Sequence, residues 1–185
     1  MSPPASPAGT TLDHTGNLLG ALSLSVADRT ADAVGDAAGH SQTAAIALSA
    51  LNDFLHGPSM DQLRAVLGIT PSGAVRLVDR LQDAGYVTRR RGEDARFVSV
   101  HLTSAGRGAA RRVAAARARV LQEVLCDLTP AERETLDGLL SRVLPRLIRG
   151  PGATRWMCRF CDTSACGRNE GRCPVANEAL RRYAS

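Results

Sequence analysis

The sequence predicts a mainly α-helical chain of the α+β class, in which one short β-ribbon lies among helices. Three observations predict this class. Apolar residues recur at helical spacing along most of the chain, residues 86–102 are typical of two strands joined by a turn, and a Gly-Pro-Gly break at 150–152 separates a cysteine-rich end. Because aromatic residues make up only 3% of the chain, we expect a core of Leu, Val and Ala.

The chain begins with a segment that has little to bury. Residues 1–11 are mostly Pro, Ser, Ala and Thr, and we expect them to be disordered. The pattern from Leu12 to about Ala38 is helical, and a second helix follows His40-Ser41.

The most informative stretch is 70–103. Thr70 can cap a helix with its hydroxyl, Pro71 suits the first helical position, and Gly85 is typical of a helix end. Upstream, Ser59 to Gln62 has the pattern of a capping box, and Gly68-Ile69-Thr70 supplies a tight turn between two helices. The apolar face of the second helix consists of Ala74, Leu77, Val78 and Leu81.

A β-ribbon follows this helix pair. We expect a strand to begin at Tyr86, the three arginines 89–91 to form a turn with residues 92–94, and a second strand to run from Arg96 to Leu102. Two short helices joined by a tight turn place the second helix in a DNA major groove. With the ribbon attached, the pattern predicts a winged helix-turn-helix.

These residues resemble the MarR family of bacterial transcriptional regulators. The runs 67–72, 76–81 and 83–87 follow that family's recognition helix, while 94–96 and 100–103 follow its wing. The likeness extends loosely over 12–149. Val75 departs from it, because many relatives carry a hydroxyl residue there.

The resemblance implies a set of DNA contacts. Ser72 and Arg76 would contact bases or phosphates in the major groove, and Arg96, oriented by Asp94, would reach the minor groove. Phosphate contacts would come from Arg80, Arg89, Arg90 and Arg91. The charge distribution also indicates DNA binding. Residues 76–119 hold eleven Arg and four acidic residues, so this part has a net charge of +7, whereas the whole chain has +5.

Two more helices are predicted after the ribbon. One runs from Thr103-Ser104 to about Leu128, with Cys126 as a small buried core residue, and the next begins with a capping box at Thr129 and is kinked by Pro145. In the resembled family the terminal helices form a dimer interface, so we expect a homodimer on a pseudo-palindromic operator. The alternative is a monomer that folds these helices back on itself.

The last 36 residues contain four closely spaced cysteines. Their spacing is C-x2-C-x4-C-x6-C, which can surround one metal ion or cluster; arginines at 155, 159, 168 and 172 would lower the thiol pKa values. Zinc and an iron–sulfur cluster both remain open, as do free redox thiols. The four predicted ligands are Cys158, Cys161, Cys166 and Cys173.

The predicted organisation has five parts. They are a disordered N-terminus (1–11), an N-terminal dimerisation helix (12–40), the winged helix-turn-helix (41–103), C-terminal dimerisation helices (104–149) and a cysteine-rich tail (150–185).

The function expected from this organisation is sequence-specific binding of double-stranded DNA by a transcription regulator. The cysteine site would tune DNA affinity by shifting the dimerisation helix beside it. One alternative is release by a small aromatic or lipophilic effector, with a purely structural zinc. A remote alternative is a redox protein, although no catalytic motif is visible. Because the sequence shows neither an apolar run of 18 residues nor the pattern of a signal peptide, we expect the protein in the cytoplasm.

Overall fold

The computed structural model describes residues 12–91, 98–150 and 156–183. The elements are α1 (His14–Ala38), α2 (Gln42–Asp53), α3 (Met60–Leu67), α4 (Pro71–Asp83), β1 (Val87–Arg91), β2 (Val98–Leu102), α5 (Ser104–Val124), α6 (Pro130–Val143), a 3-10 helix (Leu144–Leu147) and α7 (Pro174–Tyr183). β1 and β2 form an antiparallel two-stranded sheet. The mainly helical winged-helix class is therefore confirmed.

Side-chain caps start the helices where the sequence predicts them. The Ser59 hydroxyl accepts from the Gln62 N–H, and Gln62 Oε1 accepts from the Ser59 N–H at 2.9 Å, which completes the predicted capping box. Thr129 and Glu132 form the same reciprocal pair at the start of α6. Thr70 caps α4 with an N–H bond from Gly73 at 3.1 Å.

One apolar core joins the helix pair to the long helices. α1 packs along α5, and α2 packs against both. The side chains at its centre are Val34, Leu48, Leu63, Leu77, Leu81 and Val113, each at most 2% exposed. An ion pair of 2.6 Å between Arg29 and Glu123 also links α1 to α5. The orientation of α4 is thus fixed by the same core that joins α1 and α5.

The wing is tied to the start of α5 by a close backbone approach. The Thr103 N–H donates to the Tyr86 carbonyl at 2.9 Å, and the Thr103 hydroxyl donates to the Gly85 carbonyl at 2.6 Å. A Cβ atom at Gly106 would overlap the Tyr86 carbonyl oxygen. Only glycine lets α5 come this near to the residue that leads into β1.

Two sequence predictions about local structure are wrong. Arg89 to Arg91 belong to strand β1 instead of a turn, since Arg89 pairs with Val100 and Arg91 with Val98 in the antiparallel ladder. Cys126 is exposed, because α5 ends at Val124 and the chain then makes short turns, such as Leu128 N–H to Leu125 carbonyl, before α6.

The C-terminal helices leave apolar surface uncovered. As predicted, Pro145 ends the regular helix, and a 3-10 helix continues from Leu144. α6 buries none of its side chains and packs mainly on the 3-10 helix and α7. Within the described ranges, no helix has the length and apolarity needed to cross a membrane.

Candidate nucleic-acid interface and cysteine cluster

The solvent face of α4 carries the predicted major-groove residues. Ser72, Arg76 and Arg80 are exposed, on the face opposite the buried apolar residues of this helix. Ser72 Oγ lies 3.4 Å from Thr70 Oγ1, close to the helix N-terminus. Val75, 48% exposed, adds an apolar contact surface beside Arg76.

A glycine turn sets the angle between α3 and α4. Gly68 has φ of 65°, a left-handed conformation, and its N–H bonds to the Arg64 carbonyl. The Ile69 N–H donates to that same carbonyl at 3.2 Å. The chain therefore reverses within Gly68-Ile69-Thr70 and presents α4 outward, as in a helix-turn-helix.

The three wing arginines do not share one environment. Arg90 and Arg91 are exposed, whereas Arg89 donates to the Asp79 carboxylate at 2.6 Å and to Gln82 Oε1 at 3.3 Å. Arg89 therefore anchors β1 to α4, a role that sequence reasoning missed because it depends on long-range packing. The predicted wing-tip residues Asp94 and Arg96 lie outside the described residues.

The wing is also anchored on its other side. Ser59 forms a β-bridge with Ser99, and the Val100 N–H donates to the Pro58 carbonyl at 3.0 Å. Since Ser59 caps α3, this bridge fixes the ribbon to the first helix of the pair. Among the described groups, Arg76, Arg80, Arg90 and Arg91 form no ion pair with a carboxylate.

The cysteine-rich segment folds into compact turns that bring the four thiols close to one another. The Cys161 N–H bonds to the Cys158 carbonyl at 3.0 Å, which closes the first turn. The Asp162 carboxylate accepts N–H bonds from residues 164 and 165, and Gly167, with φ of 61°, turns the chain again. Cys173, only 6% exposed, accepts an N–H bond from Ala176 at 3.4 Å.

The thiols interact in pairs, and their pKa values move in different directions. A hydrogen bond from the Cys158 thiol lowers the pKa of Cys161 to about 6, and Arg117 acts in the same direction. That bond and burial raise the pKa of Cys158, while burial raises that of Cys166. Of the predicted arginines, Arg168 lowers the pKa of Cys158, but the hydrogen bond and burial raise it by more.

The arginines near the thiols differ from the predicted set. Arg168 lowers the pKa of Cys158, as predicted, but the arginine that lowers the pKa of Cys161 is Arg117 on α5. Arg159 instead covers the Trp156 ring, and Arg172 pairs with Glu170. Arg155 lies outside the described residues. Sequence proximity could not identify Arg117, because α5 lies about forty residues before Cys161.

The arrangement of the thiols bears on metal binding. With the thiols paired, no group of three or more His, Cys, Asp or Glu side chains in the described part of the chain has the geometry to hold a metal ion. Three of the thiols, Cys158, Cys161 and Cys166, nevertheless line one cleft. The donor set is suited to a thiophilic metal or cluster after the thiols lose their protons.

Comparison with known proteins gives one family and one fold. Residues 38–96 match the model of the MarR family. The apo form of wild-type MarR from Escherichia coli is similar, with 26% identity and a TM-score of 0.58, over 69% of this chain and 96% of that protein. No curated protein sequence matches the chain.

Two further structures share the fold at lower identity. YusO from Bacillus subtilis has a TM-score of 0.64 at 18% identity, over 77% of this chain and all of that protein. A mutant of MepR from Staphylococcus aureus, solved bound to an oligodeoxyribonucleotide, has a TM-score of 0.56 at 16% identity, over 74% of this chain and all of that one.

Proposed function

Because residues 38–96 match the model of the MarR family, we propose that the chain binds an operator as a homodimer and regulates transcription. We further propose that a metal ion or iron–sulfur cluster on four cysteines adjusts its affinity for DNA. The observation that carries the DNA-binding part is the exposed face of α4. It presents Ser72, Arg76 and Arg80 beside a ribbon whose Arg90 and Arg91 also point to solvent.

The geometry supports recognition of duplex DNA through two grooves. α4 has the length and exposed polar face of a major-groove helix, and the ribbon extends from its far end. Ser72 and Arg76 would contact bases or phosphates, whereas Arg80, Arg90 and Arg91 would contact phosphates. Arg89 would contribute by holding the wing. The predicted minor-groove contact of Arg96, oriented by Asp94, concerns residues outside the described part of the chain.

Uncovered apolar side chains support a homodimer. Leu18, Leu19 and Leu22 on α1 are each more than 50% exposed. Leu139, Leu140, Val143 and Leu147, on α6 and the 3-10 helix, are between 41% and 57% exposed. A second copy would cover such a surface, and two recognition helices would then lie about 34 Å apart. A monomer would leave it in water.

The chemistry of the donor set supports a metal or cluster at Cys158, Cys161, Cys166 and Cys173. Zinc and iron–sulfur clusters both take four thiolates. The Cys173 sulfur already accepts a backbone N–H, an interaction that also stabilises a thiolate ligand. Cys173 and Val175 pack with Ile148, so metal binding would also affect the end of the proposed dimerisation arm, which consists of α6 and the 3-10 helix.

DNA selection tests the first part of the proposal. A random duplex pool enriched on the full-length protein should give a pseudo-palindromic site, and the protein should bind it as a dimer. Binding to all duplexes with equal affinity, or as a monomer, would contradict the assignment. The salt dependence of binding should be steep, since several arginines would displace counterions.

Metal analysis with cysteine variants tests the second part. Protein purified without oxygen should contain about one zinc or one iron–sulfur cluster per chain. Changing Cys158, Cys161, Cys166 or Cys173 to serine should remove most of it. Cys126→Ser is the matched control, because this exposed thiol lies outside the cluster. Metal that persists in all four variants would rule out the proposed ligands.

A second candidate function has a specific observation behind it. A cavity of about 450 Å³ lies between α1, α5 and the cysteine-rich segment, lined by Leu19, Leu22, Val26, Leu121 and Phe160 among others. Its size and apolar lining suit a small lipophilic effector. A compound that releases DNA while the metal content stays constant would favour this function over metal-dependent release.

A further inference from the structure

Trp156 lies against the turn that leads into the recognition helix. A Cβ atom at Gly68 would be 3.6 Å from its Nε1 atom and 3.8 Å from its Cδ1 atom, a distance of ordinary van der Waals contact. The Arg159 guanidinium lies 4.4 Å from the ring centroid, and Arg159 also donates to the Trp156 carbonyl at 2.7 Å. The ring therefore contacts both the α3–α4 turn and Arg159 of its own segment, while Trp156 stays 53% exposed.

Phe160 gives the segment a second contact, on the long helix. It packs against the main core, and the Arg117 guanidinium on α5 lies 5.5 Å from its ring centroid. Trp156 and Phe160 flank Cys158, while Cys161 follows directly. The first two thiols are thus placed by one aromatic contact with the helix-turn-helix and another with α5.

The remaining thiols complete a bridge between two parts of the fold. A cleft of about 450 Å³ separates Cys158, Cys161 and Cys166 from the loop before α3, where Phe54 and His56 form the other wall. On the far side, Cys173 packs with Ile148, near the end of the dimerisation arm. The four cysteines therefore lie between the DNA-binding domain and that arm.

From these contacts we propose that the cysteine-rich segment docks on the helix-turn-helix of its own chain through Trp156, and that this contact couples metal loading to DNA binding. The inference rests on the proposed metal-dependent function and names its route. Binding of four thiolates to one metal ion or cluster fixes the turns from Cys158 to Cys173 relative to one another, and this also fixes Trp156 two residues earlier. Trp156 then holds the Gly68 turn, so the loaded protein binds DNA more tightly than the metal-free protein.

The test compares DNA affinity with and without metal in full-length variants. The duplex is one enriched on the wild-type protein, and each protein is measured as purified without oxygen and again after chelation, with its metal content determined. The wild-type protein should lose about tenfold in affinity on metal removal, within the usual range for coupled sites. In Trp156→Ala the two affinities should differ by less than about twofold, at an unchanged metal content.

Two controls separate docking from a general effect of the substitution. Trp156→Phe keeps an aromatic ring at the turn and should restore most of the dependence of DNA affinity on metal. Leu180→Ala removes an apolar side chain that is 64% exposed on α7 and should behave as wild type. If the DNA affinity of Trp156→Ala still falls tenfold on metal removal, the route through Gly68 is overturned and metal regulation is left intact. Equal affinities of the two wild-type forms would instead overturn the metal-dependent function itself.

The same residue provides a direct readout. Because the sequence contains one tryptophan, the protein's tryptophan fluorescence reports on Trp156 alone. Its emission should change when the loaded protein is saturated with the selected duplex, because DNA binding fixes the neighbouring turn. Metal removal should increase its quenching by acrylamide. Unchanged emission and unchanged quenching in both experiments would overturn the docking.

Discussion

The Arg89 guanidinium on β1 donates to the Asp79 carboxylate on α4 at 2.6 Å, and this ion pair joins the wing to the recognition helix. Arg89 is only 29% exposed and Asp79 is 49% exposed, so the pair is partly shielded from water. The bridge between Ser59 and Ser99 fixes the ribbon on its other side. The described part of the ribbon is therefore joined both to α4 and to the start of α3.

Replacing Asp79 tests this anchoring role. Asp79→Asn should weaken DNA binding by roughly 0.5–2 kcal/mol, because Arg89 loses its partner and the wing loses its position. Electrostatics alone predicts the opposite sign, since removing a negative charge near DNA favours binding. Fluorescence anisotropy with the selected duplex measures the change. The free energy of unfolding should fall by less than about 1 kcal/mol.

Asp83 is the matched control for that experiment. It is exposed on the same helix and pairs with no described cation. Asp83→Asn should therefore bind DNA as tightly as the wild-type protein or slightly more tightly. If both variants bind more tightly, the Arg89–Asp79 pair has no positioning role.

Arg76 and Arg90 should respond differently to substitution. Arg76→Ala should cost about 1–3 kcal/mol on the selected duplex and relax base preference, because this exposed side chain would face the major groove in the proposed complex. Arg90→Ala should weaken binding to all duplexes alike and reduce the salt slope by about one. Affinities across a set of single-base variants, measured at several salt concentrations, check both. Wild-type behaviour of both variants would refute the groove assignment.

Two glycines of α5 should give stability changes of opposite sign. Gly106→Ala places a Cβ on the Tyr86 carbonyl oxygen and 2.9 Å from its carbonyl carbon, so the backbone must shift, at a cost of about 1–3 kcal/mol. Gly108→Ala meets only arginine side chains at 3.8 Å or more and should stabilise the helix by about 0.5–1 kcal/mol. Urea denaturation provides the measurement. Two changes of the same sign would contradict the close approach.

Glu178 should make the stability of α7 depend on pH. Hydrogen bonds from Arg181 and then Arg182 lower its pKa to about 2. Because the folded pKa lies below the unfolded value of about 4.3, the stabilisation is complete at neutral pH and is lost as pH falls through that window. The Tm difference between wild type and Glu178→Gln should shrink between about pH 5 and pH 2. A difference that is constant over this range would exclude the pairing.

Local features of the fold could be predicted because their causes are local. Ser59, Thr70 and Thr129 each supply a cap to an N–H three residues later, so the starts of three helices follow from residue type and spacing. The end of strand β1 does not follow from local causes. The sequence predicts a turn at Arg89 to Arg91, but pairing with β2 makes these residues continue the strand.

The candidate DNA-binding face was partly visible in the sequence. Exposure of Ser72, Arg76 and Arg80 follows from helical periodicity, because they lie opposite a buried stripe. The separate environment of Arg89 does not follow from it. Its partner, Asp79, lies ten residues earlier on another element, and only packing of β1 on α4 brings them together.

The sequence by itself determined the order of elements, their caps and the spacing of four thiols, since each depends on residues within one or two turns of chain. The tertiary structure decided what those elements contact. Packing placed Arg117 beside Cys161, Trp156 against Gly68, and Cys173 beside Ile148. These neighbours lie far apart in sequence, and the shared burial of apolar surface, which no short pattern encodes, sets their distances.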